Sequence, residues 1–170
     1  MATIPQDLYR ACRAKAWGKK QPQRSSNFGD NEGAGSLYPD YEGFQRADGS
    51  IRPPDVTTFT AGGVTWVRGV NERDSQNKPY ISWKEGVSVS GSPGCFGYGS
   101  WFYFLLPEGT AIPGSLDVKH TPSTKDQTHH SIRCRNSMTI DAYQGALDTL
   151  ARAAIAKAVE RARNSLYFSA

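Results

Sequence analysis

Trp101-Phe102-Tyr103-Phe104-Leu105-Leu106, followed by Pro107-Glu108-Gly109-Thr110-Ala111-Ile112-Pro113, is the stretch that decides the fold. Six aromatic and aliphatic residues without a breaker read as a strand, and the Pro/Gly punctuation after them demands a turn. Upstream, Ile81 to Ser90 reads as a further strand, in which Val87 and Val89 alternate with Ser88 and Ser90. One face of it looks to a core and the other carries hydroxyls. Downstream, Leu116-Asp117-Val118-Lys119 alternates as a short strand, and Pro122 to Gln127 forms a polar turn. His129 to Cys134 then reads as a strand. His130, Ile132 and Cys134 share one of its faces, and His129, Ser131 and Arg133 share the other.

Working outward, Leu8 to Cys12 and Val64 to Val67 are two more strands. Residues 18–50 form a long polar connection punctuated by Phe28, Tyr38, Tyr41 and Phe44, and Arg52 before Pro53 must be extended. From Thr139 to Asn164 the apolar residues Ile140, Tyr143, Leu147, Leu150, Ala154, Ile155 and Val159 recur at helical spacing. Thr139 is the expected N-cap, Asp141 lies in the first turn, Arg161 and Arg163 lie near the end, and Gly145 is a point of weakness. Six or so short strands, long loops and one C-terminal helix make an α+β chain. No GxGxxG follows the first strand and no GxxxxGK[ST] loop occurs, so Rossmann and P-loop nucleotide binding are not expected.

The chain has 170 residues, 38% hydrophobic and 21% charged, which predicts one globular domain over 1–170. The first residues lack a charged and then apolar leader pattern. That predicts synthesis in a cytoplasm, with any export by a signal-peptide-independent route. No run approaches the length of a membrane helix. Cys12, Cys95 and Cys134 are far apart and show no metal spacing, so they read as buried or free thiols in a reducing compartment. The net charge of +4 draws partly on Arg10, Arg13, Lys15, Lys19, Lys20 and Arg24, and favours phosphates, nucleic acid or an acidic partner.

Several constellations in the sequence bear on chemistry. Ser88 or Ser90 with His130 recommends a serine hydrolase, but no GxSxG elbow surrounds either serine. His129 and His130 point to opposite faces of one strand, so with His120 they make a poor zinc set. Glu85 and Glu108 both sit at turns and do not form a carboxylate pair. A nucleotide cleft is the remaining arrangement. In it Arg10 forks onto a phosphate, Ser88 and Ser90 fix a ribose or shape the cleft, and Gln127, His129 or His130 bonds ribose or an attacking group. Trp66, Trp83, Tyr38 and Tyr41 are the candidates for stacking on a flat ring.

Four segments carry a family resemblance: Leu8-Tyr9-Arg10-Ala11, Gly86-Val87-Ser88-Val89, Leu106-Pro107 through Val118-Lys119, and Thr128-His129-His130-Ser131-Ile132 before the helix. Together they resemble the "type six exported two" toxins, an ADP-ribosyltransferase-like family exported by bacterial type VI secretion. The resemblance covers about two thirds of the chain and is weakest over 13–50. It implies an ADP-ribosyltransferase-like split β-sheet core with long loops and a C-terminal helix. It also implies NAD as co-substrate without a metal, and mono-ADP-ribosyl transfer to a macromolecule inside target cells. NAD glycohydrolase activity, or a non-catalytic shell that binds protein or nucleic acid, are the alternatives. The implied partners are a small acidic immunity protein, an unidentified macromolecular target, and a secretion-apparatus or chaperone protein. By this comparison Arg10, Ser88, Ser90 and Trp83 bind NAD, and His129, Gln127 and His130 are the catalytic candidates. His129 leads, because periodicity gives it the polar face and the family places an aromatic residue at position 130. Three departures stand out: Val87 and Ser90 replace a threonine and an aromatic residue of the pattern, and the late strand has no Glu-x-Glu.

Overall fold

The computed structural model describes residues 1–13, 34–94 and 101–168. Ten strands and one helix occur among them: β1 Leu8–Arg13, β2 Phe44–Gln45, β3 Ile51–Arg52, β4 Thr58–Ala61, β5 Val64–Val67, β6 Val87–Val89, β7 Trp101–Leu106, β8 Leu116–His120, β9 His130–Cys134, β10 Met138–Thr139 and α1 Ile140–Phe168. They form antiparallel groups ordered β1–β7, β10–β5–β4, β2–β3 and β6–β9–β8. Tyr9 and Ser90 exchange backbone hydrogen bonds of 2.7 and 3.0 Å, which carry the β1–β7 pair onto the end of β6. The result is α+β, as expected from the strand pattern, with the split sheet that the family resemblance implies.

Register sorts the side chains of the β6–β9–β8 sheet. Val87 opposes Ile132, Ser88 opposes Ser131 and Val89 opposes His130. Leu116 opposes Cys134, Lys119 opposes Ser131 and His120 opposes His130. Opposed residues of an antiparallel pair share a face. Val87, Val89, Ile132, Cys134 and Leu116 therefore line one side, and all are buried. Tyr143, Leu147, Leu150, Ala151 and Ala154 of α1 belong to the same buried cluster. The Tyr143 hydroxyl donates to the Ile132 carbonyl at 3.0 Å, so the helix is bonded to β9 as well as packed. Each fully buried leucine here contributes about 1.5–3 kcal/mol.

Several details differ from the sequence reading. Strand β6 begins at Val87, not Ile81, because Glu85 N–H turns back to the Ser82 carbonyl at 3.1 Å and Gly86 takes φ 146°. A Cβ at Gly86 would lie 2.6 Å from the Ile132 carbonyl oxygen, so the chain crosses β9 there as only glycine can. The sequence reading has β5 but not β4 or the hairpin that joins them. The hairpin's two-residue Gly62-Gly63 turn, with φ 60° and 74°, is the familiar positive-φ hairpin signal. Gly145 does not split α1, which is 29 residues long and continues past the expected Asn164 end to Phe168, with no basic residue in its last turn. Arg161 instead forks onto Asp7 at 2.7 and 3.1 Å. Thr139 does cap the helix, accepting Ala142 N–H at 3.2 Å. Cys12 and Cys134 are both buried, and burial pushes the Cys134 thiol up to about 11. Cys95, Phe28, Lys15, Lys19, Lys20 and Arg24 lie outside the described residues.

Candidate active site on the hydroxyl face

The second face of the β6–β9–β8 sheet is polar. Ser88 opposes Ser131 on it, and continuing the register by one step sets Ser90 against His129. Thr121, one residue past β8, is bonded to both His129 and Ser131. Its Oγ1 lies 2.7 Å from His129 Nδ1 and 2.9 Å from Ser131 Oγ. His129 Nδ1 also lies 3.0 Å from the Thr121 carbonyl. The Ser131 hydroxyl donates in turn to the Lys84 carbonyl at 2.9 Å. Among the described residues, His129 Nε2 and the Ser88 hydroxyl have no protein partner.

The turn before β9 positions this histidine. The Asp126 carboxylate accepts the Thr128 N–H at 3.0 Å and its hydroxyl at 2.9 Å, and Thr128 Oγ1 accepts Gly91 N–H at 3.0 Å. Ser90 is buried, and its hydroxyl accepts Ser92 N–H at 3.0 Å. Ser90 therefore shapes the turn after β6 and Ser88 is the freer hydroxyl. Glu85 clasps Thr57 from the approach to β6, with its carboxylate 2.8 Å from Thr57 Oγ1.

Arg10 shares the buried face of β1 with Leu8 and Cys12. Its Nη1 donates to the Ser88 carbonyl at 3.1 Å, and its Nη2 to the Tyr38 carbonyl at 3.2 Å and Asp55 Oδ2 at 3.4 Å. The Arg10 and Asp55 side chains are 7% and 5% exposed, so this is a buried ion pair. Asp55 also accepts Asp40 N–H at 2.8 Å and Arg52 Nη2 at 3.2 Å. Arg10 thus braces the backbone of Ser88 from behind the hydroxyl face. Its buried Nε–H has no acceptor among the described residues.

The remaining candidates are dispersed. His130 is buried on the core face, with Nδ1 2.8 Å from the Thr128 carbonyl and its ring 4.8 Å from that of His120. Burial pushes its imidazole below the ordinary value. The hydrogen bond to Thr128 opposes that, and the neighbouring His120 and His129 add to it. Gln127 lies in the exposed turn and not on the strand, with its amide donating to the Ser123 carbonyl at 3.0 Å. Trp83 is 51% exposed on the turn before β6, where its carbonyl accepts Arg133 Nη1 at 3.0 Å. Trp66 stacks on Phe59 across the β4–β5 hairpin. The Tyr38 hydroxyl is bonded to Asp148 at 2.6 Å and that of Tyr41 to Gln144 at 2.9 Å, which ties both tyrosines to α1.

Three residues of this arrangement were not singled out from the sequence. Thr121 continues the polar alternation of Asp117 and Lys119, and Ser131 shares a face with His129, so both left a trace. Asp55 left none beyond following two prolines. Among the described residues there is no group of three or more His, Cys, Asp or Glu side chains placed to hold a metal, and no helix long and apolar enough to cross a membrane. On the hydroxyl face of β6, β8 and β9 the carboxylate is Asp117, and it is ion-paired with Arg133.

A family model described as "Tse2 ADP-ribosyltransferase toxin" matches residues 6–159. That span takes in the hydroxyl face, Arg10 and most of α1, and the chain belongs to this family. No curated protein matches the chain.

Proposed function

We propose that this member of the Tse2 ADP-ribosyltransferase toxin family transfers ADP-ribose from NAD to a macromolecule inside target cells, as a mono-ADP-ribosyltransferase, with His129 as the proton acceptor. The observation that carries the reading is His129 Nε2: a ring nitrogen without a protein partner among the described residues, across from Ser90 and beside Ser131. In the reaction, the bond between C1′ of the nicotinamide ribose and nicotinamide breaks, and nicotinamide leaves neutral with the bonding pair. A nucleophilic oxygen or nitrogen bonds to C1′ and gives up its proton. Holding the two reactants in line supplies much of the rate, and a positioned base supplies the rest.

In this reading Ser88 bonds the ribose hydroxyls, Ser90 shapes the cleft and Trp83 offers an exposed ring for stacking. Arg10 holds the backbone of Ser88 in place from behind the face. His130 packs behind the site and Gln127 stands at its rim. Incubation with labelled NAD and target-cell lysate tests the proposal. Label should appear on a macromolecule, and the enzymatic reading is wrong if no label transfers and no nicotinamide is released.

The Asp117–Arg133 pairing favours a second reading, because it leaves the face without a free carboxylate to align an acceptor. Nicotinamide release without label transfer would make the protein an NAD glycohydrolase. Toxicity retained by a folded Ser88→Ala variant would make it a binding module. The basic charge further supports a small acidic immunity protein, whose association should slow as salt rises. Co-expression that rescues growth and co-purifies such a protein is the expected result. Delivery to the target cytoplasm by a signal-peptide-independent route, with a secretion-apparatus or chaperone protein, belongs to the same proposal.

A further inference from the structure

We infer that Thr121 and Ser131 are positioning residues: they hold neutral His129 in its Nδ1–H form and so leave Nε2 as a bare lone pair. The inference rests on the reading of His129 as the site's base, and it follows from which atoms along one chain are able to donate.

The chain ends on a carbonyl. The Lys84 oxygen only accepts, so the Ser131 hydroxyl hydrogen, at 2.9 Å, must go to it. Ser131 Oγ then has only lone pairs to offer Thr121 Oγ1 at 2.9 Å, and the Thr121 hydrogen must point at Ser131. Thr121 Oγ1 in turn has only lone pairs to offer His129 Nδ1 at 2.7 Å. The Thr121 carbonyl, 3.0 Å from the same nitrogen, also only accepts. Both routes require a hydrogen on Nδ1. A bare Nδ1 would face the Thr121 carbonyl lone pair to lone pair. It would also pull the Thr121 hydrogen away from Ser131, leaving two oxygens 2.9 Å apart with no proton between them.

Neutral imidazole in water prefers its proton on Nε2, so the protein reverses the ordinary preference here. The consequence is chemical. When an attacking O–H bonds to C1′ and nicotinamide departs, the O–H proton moves to Nε2. The ring becomes an imidazolium with N–H on both nitrogens. Its Nδ1–H keeps the same two oxygen acceptors throughout, so the charged ring is held without rearrangement. His130 and His120 have simpler arrangements, each with one ring nitrogen on a single backbone carbonyl, Thr128 at 2.8 Å and Gln127 at 2.7 Å.

The test is a proton–nitrogen correlation spectrum of the imidazole rings in the full chain, without NAD and at a pH where the histidines are neutral. His129 should show protonated Nδ1 and bare Nε2, and the reverse pattern overturns the inference. Thr121→Val should move His129 toward the Nε2–H form. It should also lower kcat about five- to tenfold with little change in KM, the worth of one hydrogen bond. Thr121→Ser, which keeps the hydroxyl, should restore both. An unchanged tautomer and kcat in Thr121→Val would overturn the positioning role. Ser131→Ala is the second probe, because it frees the Thr121 hydrogen to turn toward Nδ1 and should shift the tautomer the same way. The expected tautomer in a protein that never turns over NAD would support the proton arrangement and remove the catalytic reading it rests on.

Discussion

On one side of the β6–β9–β8 sheet, Val87, Val89, Ile132, Cys134 and Leu116 are closed off in a core shared with α1. On the other side, one residue along each strand, Ser88, Ser131, His129 and Thr121 form a polar face in which nearly every hydrogen is committed. The same strands supply both. His129 and His130 are neighbours in sequence and fall on opposite sides. The buried ring is sealed in, and burial lowers its affinity for a proton. The polar ring has one nitrogen tethered and the other without a protein partner among the described residues. A sheet with a helix on one face offers chemistry only from the other, because reactive atoms need access to a ligand as well as a fixed position.

The sharpest way to break this comparison is to delete each histidine. His129→Ala should lower nicotinamide release by about 10²- to 10⁴-fold, the usual worth of a positioned base, and leave the circular-dichroism melt near that of the parent. His130→Ala should act on the melt first. If His129→Ala is silent while a folded His130→Ala is dead, the assignment of the two faces is wrong.

The Arg10–Asp55 pair behind Ser88 comes next. Asp55→Ala leaves a guanidinium buried without its carboxylate and should cost about 3–5 kcal/mol in urea unfolding. A cost below about 1 kcal/mol would mean that solvent reaches Arg10 in solution. The two sides can then be compared on one strand. Leu116→Ala on the core face should cost about 2–5 kcal/mol. Lys119→Ala on the hydroxyl face should stay within about 0.5 kcal/mol in the same assay. Equal costs would erase the distinction.

The smallest effect is the pH dependence of the core face. The folded state lowers the affinity of His130 for a proton, first through burial. The unfolded chain therefore binds more protons once the pH falls below the ordinary histidine value. Stability from this group is complete above that value and is lost as pH falls from it toward the lowered folded value. Unfolding free energies measured across mildly acid pH should show this decline, and His130→Gln should flatten it. An unchanged slope in the variant would place the titration elsewhere.

Local pattern made much of this legible. The alternation of valine with serine at 87–90 and of histidine with isoleucine at 130–132 sorted the two faces correctly, since strand side chains have a period of two. Leu8, Trp101 to Leu106 and the helical spacing from Ile140 onward marked strands and helix from composition and period. The Ile81–Gly86 approach was misread as strand because Trp83 and Ile81 favour strands, while the Gly86 crossing over β9 is a demand of the neighbouring chain. The β4–β5 hairpin was within reach, through Gly62-Gly63.

By itself, the sequence determined the α+β class, the C-terminal helix with its Thr139 cap, the face on which each of the two histidines lies and, through its family resemblance, the expected chemistry. These depend on periods of two and 3.6 residues and on short motifs, all local to the chain. Only the tertiary structure decided that Asp55 would meet Arg10 from 45 positions away and that Arg10 would grip the backbone of Ser88. It alone placed Thr121 and Ser131 between His129 and the Lys84 carbonyl. Those contacts join segments whose separation in sequence carries no periodic signal. Buried donors and acceptors must be matched one to one, and that matching is set only when the strands have taken their register.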